Sequence, residues 1–153
     1  MAWEYLEHKD YRYDIVAWWV EDFDYVVEYN SGNSRLREYV ANHICNDFYD
    51  NRADFQITDE EFYKKIKKCD VLVCLGIGGH EITKEPLESA TITGTLIKTA
   101  NEFKPRLMIL ECIEKFKSIP ENIIKKTGYD ILDVKEANGV TWLDNRVMYI
   151  CRM

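Results

Sequence analysis

The sequence predicts an α/β fold. It consists of a mostly parallel, twisted sheet with helices on both faces and one antiparallel strand contributed late in the chain. Three observations carry this. Strand-like and helix-like segments alternate along the chain, the pattern of a parallel sheet built by crossover connections. Residues 71–75 and 107–110 are apolar throughout, as expected of strands buried on both faces. The last two strand-like segments, 129–134 and 146–151, have only turn-like sequence between them, so one of them runs against the rest.

Residues 1–22 come first and are rich in aromatics, among them Trp3, Tyr5, Tyr11, Tyr13, Trp18 and Trp19. They are expected to form a helix that covers a sheet face, with tyrosine and tryptophan supplying area and polar tips. A lid over a substrate is the other reading. Residues 24–28 form a short apolar run with acidic ends, and 29–33 are turn formers. A helix is expected over 35–42, with Leu36, Tyr39 and Val40 on one face. Short strands follow at 44–48 and 53–57. Thr58-Asp59-Glu60-Glu61 resembles a capping box, and its helix is expected to reach about Lys68 with Phe62, Ile66 and Cys69 inward. The strand at 71–75 leads into Gly76, Gly78 and Gly79. A helix is expected over 87–103, a strand after Pro105, and a helix over 120–126 with Pro120 in its first turn. Asn138-Gly139 marks a long turn between the final two strands.

The 153 residues suit one domain, which is expected to span 1–153. A net charge of −7 argues against a dedicated nucleic-acid binder, which carries a basic face to displace counterions. A small-molecule or protein partner is favoured instead. Lys64, Lys65, Lys67 and Lys68 form a local basic cluster, read either as a solvated face or as a phosphate contact. No apolar stretch approaches the roughly 20 residues that span a bilayer, and the amino terminus does not read as a signal peptide, so a cytoplasmic location is expected. Cys45, Cys69, Cys74, Cys112 and Cys151 are odd in number and lack C-x-x-C spacing, so they are expected to be core residues and no metal site is expected. A homodimer or a partner subunit is a further expectation from the aromatic content.

In open parallel sheets, ligands sit outside the carboxyl ends of the strands where strand order reverses. The first strand ends in Glu28-Tyr29-Asn30-Ser31-Gly32-Asn33-Ser34. This resembles the first motif of the class I S-adenosylmethionine-dependent methyltransferases, a strand ending in an acid followed by a glycine-rich turn and a helix. Glu28 and Gly32 match, whereas Asn30 and Ser34 stand where that family more often has glycine. Asp47 follows Glu28 by 19 residues, at the end of the second strand. Asp54-Phe55, the strand through Leu75-Gly76-Ile77, and the Gly79-His80 turn also resemble later motifs of the family.

The resemblance implies a Rossmann-like methyltransferase fold, S-adenosyl-L-methionine as cofactor, and methyl transfer to an unidentified acceptor. Glu28, Tyr29, Asn30, Ser31 and Gly32 would meet the amino-acid part of the cofactor. Asp47 would hold the ribose diol, because a carboxylate accepts hydrogen bonds from both hydroxyls. Asp54 and Phe55 would lie beside adenine, with Ile77 on its other side, and Leu75 and Gly76 would also belong to the cofactor site. His80 is the candidate general base, since its ring titrates near working pH. The alternative is a methyltransferase-like module without catalysis that acts with a partner protein, suggested by the missing glycines. A nicotinamide-binding protein is disfavoured, because no G-x-G-x-x-G follows the first strand.

Overall fold

The computed structural model describes residues 11–23, 25–30, 36, 42–47, 55–56, 64–77, 86–136 and 145–153. Its strands are β1 (Tyr25–Tyr29), β2 (Asn42–Asp47), β3 (Phe55–Gln56), β4 (Val71–Ile77), β5 (Leu107–Ile113), β6 (Asp130–Glu136) and β7 (Arg146–Arg152). Its helices are α1 (Tyr11–Val20), α2 (Pro86–Phe103) and α3 (Ser118–Thr127), with a short 3-10 turn at Glu114–Phe116.

The strands form one sheet in the order β3-β2-β1-β4-β5-β7-β6. β1 pairs parallel with β2 and β4, β2 with β3, and β4 with β5. β7 runs antiparallel to both of its neighbours, β5 and β6. It is the single reversed strand expected from the sequence. It lies inside β6 and is not itself the sheet edge.

The period of two along each strand sorts the core into two layers. Val26, Val71, Val73, Ile109, Met148 and Ile150 pack with Tyr13, Val16 and Val20 of α1. Tyr13, Val16 and Val20 fall on one helical stripe, so α1 covers this sheet face. Val27, Leu72, Cys74, Met108, Leu110 and Cys151 point the other way and pack with Ile92, Leu96 and Ala100 of α2 and Ile123 and Ile124 of α3. Cys69, Cys74, Cys112 and Cys151 are buried and free, as expected of core residues. Burial pushes the thiols of Cys69, Cys112 and Cys151 up to about 12.

Several boundaries differ from the sequence expectation. Of the aromatic segment 1–22, the described helix is Tyr11–Val20. The helix expected to reach Lys68 is helical only at Lys64 and Lys65 among the described residues, and 66–69 run irregularly into β4. Ile66 and Cys69 are nonetheless buried, while Lys64, Lys65, Lys67 and Lys68 are exposed. α3 begins at Ser118, with Pro120 as its third residue, where the missing N–H is one that no helix would satisfy internally. It ends at Gly128, whose φ of 75° permits its N–H to cap the carbonyl of Ile124. The helix expected over 35–42 lies outside the described residues except for Leu36, which is buried. Among the described residues, no helix is long and apolar enough to cross a membrane.

Candidate functional site

Strand order reverses between β1 and β4, because β2 and β3 lie on one side of β1 and β5 on the far side of β4. A crevice at the carboxyl ends of these strands is the ligand position of open α/β sheets. Glu28, Tyr29 and Asn30 close β1 there, and Leu75, Gly76 and Ile77 close β4. Asp47 is the last residue of β2, and the pairing of Glu28 with Cys45 puts it two residues further toward the same edge. Phe55 pairs with Asn46 on the adjoining strand. The backbone therefore brings Glu28, Asn30, Asp47, Phe55 and Gly76 to one edge. Ser31, Gly32, Asp54 and His80 lie outside the described residues.

Asn30 settles one departure from the expected motif. Its φ is 56°, the left-handed region that glycine occupies freely. Asparagine is among the few other residues that visit it at modest cost. The position keeps the backbone conformation of a glycine without being one. The Asn30 amide reaches the Gly76 carbonyl at 3.5 Å, a weak link between the ends of β1 and β4. Gly76 has a φ of 75° and sits at a register shift between β4 and β5. A Cβ there would meet Arg146 Nη2 at 3.9 Å, an ordinary contact, so the backbone and not space requires glycine.

Glu28 is fully buried on the α1 face. Tyr13 donates its hydroxyl to Oε2 at 3.1 Å, and His43 Nε2 lies 2.9 Å from Oε1. The carboxylate thus ties the end of β1 to α1 and β2. His43 Nδ1 is buried without a partner among the described residues. Tyr29 is buried on the opposite face, where its hydroxyl bonds Thr99 of α2 at 2.6 Å. Leu75 and Ile77 are core side chains at 3% and 0% exposure, one in each layer. Ile77 is enclosed by the α2 and α3 core, and Tyr29 and Leu75 are likewise buried.

A second buried network lies beside this edge, and the sequence pattern did not single it out. Glu111 of β5 is fully buried and accepts from Arg12 Nη1 at 2.7 Å and from Arg146 Nε. The Gly76 N–H donates to the same carboxylate at 3.0 Å. Arg12 is 1% exposed and Arg146 4%. Burial pushes the Glu111 carboxyl up, but the two guanidiniums outweigh it and hold the group below the ordinary carboxylate range. One side chain thus joins α1, β4, β5 and β7 at the carboxyl edge. A signal was present: Glu111 interrupts a strand otherwise buried on both faces, and a buried charge demands a partner.

Solved structures share this architecture. The B. subtilis tRNA methyltransferase TrmK superposes with a TM-score of 0.64 at 15% identity, over 94% of this chain and 66% of that one. The methyltransferase domain of bacterial CtHen1-CN gives 0.61 at 10% identity, over 93% and 97%. The chain has the class I methyltransferase fold. The magnesium protoporphyrin IX methyltransferase of Synechocystis PCC 6803, solved with bound SAM, gives 0.53 at 16% identity, over 92% and 77%. No protein-family model matches the sequence, and no curated protein matches it. At these identities the likeness is one of fold, and the methyltransferases sharing it act on different substrates.

Proposed function

We propose that this chain binds S-adenosyl-L-methionine at the carboxyl ends of β1, β2 and β4 and transfers its methyl group to a small-molecule or protein acceptor. The observation that carries the reading is the left-handed backbone of Asn30 at the strand-order reversal. It preserves the turn that lets backbone approach a ligand where the glycine of the family pattern is absent.

The cofactor, when bound, supplies a methyl group already activated by its sulfonium charge. The protein has only to hold the two reactants in line. Asp47 would accept the ribose hydroxyls, and Phe55 would flank the base. Glu28 acts from beneath, by fixing the end of β1 from which Asn30 emerges. Glu111 does the same for Gly76. The overall charge of −7 favours a cationic ligand at long range, an effect that salt screens.

Isothermal titration with adenosylmethionine and adenosylhomocysteine tests the reading directly. Binding of one equivalent, weakened at least about tenfold by Asp47→Ala, is the expected result. No heat from either ligand at millimolar concentration overturns it. Binding without transfer of a labelled methyl group to any acceptor in a cell extract would move the chain to the non-catalytic alternative.

A further inference from the structure

Away from the strand-order reversal, a groove of about 630 Å³ is lined by Asp14, Ile15, Trp18 and Trp19 of α1 and by Lys135 and Glu136 at the carboxyl end of β6. That volume suits a small organic ligand. Four strand spacings separate β1 from β6 in the sheet order, about 19 Å at the usual interval. The groove is therefore not the cofactor crevice, and its ligand is independent of the methyl-transfer reading.

Two features define what would fit. Trp18 and Trp19 meet edge to face, with centroids 4.9 Å apart and planes at 82°, so the wall offers two indole rings at right angles. Trp18 is 69% exposed, an unusual degree for the largest aromatic side chain. The second feature is charge. Lys135 is held by Asp133 at 3.1 Å, so its cation is answered from its own strand. Asp14 and Glu136 are both exposed and have no ion pair among the described residues. A neutral aromatic or aliphatic guest would strip water from these two carboxylates and return nothing for it. An anion would be repelled. A metal ion would gain nothing from indole faces and would leave most of the volume empty. An organic cation satisfies both features at once, its charge meeting the carboxylates and its alkyl surface the ring faces.

We infer that this groove binds an alkylated ammonium group, carried either by a free small molecule or by a side chain of a peptide.

The test follows the indole N–H signals of Trp18 and Trp19 by NMR, assigned with Trp→Phe variants, at low and matched ionic strength. Choline chloride is titrated against 3,3-dimethyl-1-butanol, its neutral counterpart of the same shape. Choline is expected to shift both signals saturably in the millimolar range, and the neutral alcohol is expected to bind at least about fivefold more weakly. Trp18→Ala removes an exposed side chain and should leave folding intact while abolishing the response. Asp14→Asn and Glu136→Gln should each weaken it severalfold. A trimethyllysine peptide binding more tightly than choline would assign the group to a polypeptide, and equal or weaker binding to a free molecule. Equal response to the neutral alcohol, or no shift by choline at about 100 mM, would overturn the inference.

Discussion

Replacing Glu111 with glutamine changes one charge and almost no volume, and the structure says it is costly. The wild-type carboxylate is fully buried between Arg12 and Arg146, themselves 1% and 4% exposed. Glutamine leaves two guanidiniums in the interior without the anion that answers them, and its amide turns donors toward groups that can only donate. Removing one partner from a buried ion pair costs about 3–5 kcal/mol. Spread over a chain of this length, that lowers the melting temperature by about 6–20 °C. Urea unfolding supplies the free energy, and a parallel melt supplies the temperature. The triple change Arg12→Met, Glu111→Leu, Arg146→Met removes all three charges and should recover most of the loss, because desolvation had offset much of the attraction. Acid gives an independent check. The folded carboxyl lies below its ordinary value of 4.5, so the unfolded chain takes up the proton first as pH falls. The stabilisation is therefore whole above 4.5 and declines as pH drops through the folded value. The gap between wild type and Glu111→Gln should narrow over that same range. A loss under about 1 kcal/mol at neutral pH, or a gap that does not close in acid, would refute a buried ion-pair network here.

Other expectations rest on single contacts. Tyr13→Phe deletes a hydroxyl donated to a buried carboxylate and should cost about 1.5–3 kcal/mol in urea unfolding, with no change in the far-ultraviolet spectrum. Asn30→Gly keeps the left-handed turn and should preserve adenosylmethionine binding in calorimetry. Asn30→Val forces a β-branched residue into that region, should lose about 1–2 kcal/mol of stability, and should weaken the ligand. Cys69, Cys112 and Cys151, each pushed up to about 12, should react with iodoacetamide at pH 8 roughly a thousandfold more slowly than an ordinary thiol, as read by mass spectrometry of the native protein. Labelling of any of them at the rate of the unfolded chain would contradict their place in the core.

The fold was legible because its signals are local. The unbroken apolar run at 71–75 becomes a central strand, and the late strand pair becomes β6 and β7 with only β7 reversed. The edge of β1 was legible for the same reason: an acid and a run of turn formers close an apolar segment. What escaped was set by long-range contact. Glu111 and Arg12 are 99 positions apart, and neither local pattern nor spacing joins them. Ile77 likewise depends on a feature that no local pattern shows: the register shift before it turns the side chain into the α2 layer. Asp47 and Phe55 reach the same sheet edge as Glu28 through the backbone register of β2 and β3.

The two buried carboxylates explain why α1 belongs to the site although it contributes no motif. Arg12 and Tyr13 are neighbours in the helix, and each reaches a different strand: Arg12 reaches Glu111 on β5, and Tyr13 reaches Glu28 on β1. Consecutive helical side chains diverge by about 100° around the axis. β1 and β5 flank β4, so they stand about two strand spacings, or roughly 9–10 Å, apart. Side chains that diverge from adjacent positions can meet both strands only if the first turn of α1 straddles β4. The end of β4 carries Gly76, whose N–H is bound by Glu111. The helix start, the glycine turn and both strand ends are therefore fixed by two buried carboxylates, Glu28 and Glu111. A displacement of Tyr11–Val20 would have to break contacts to both β1 and β5, so this helix holds the two strands that flank β4 in one arrangement.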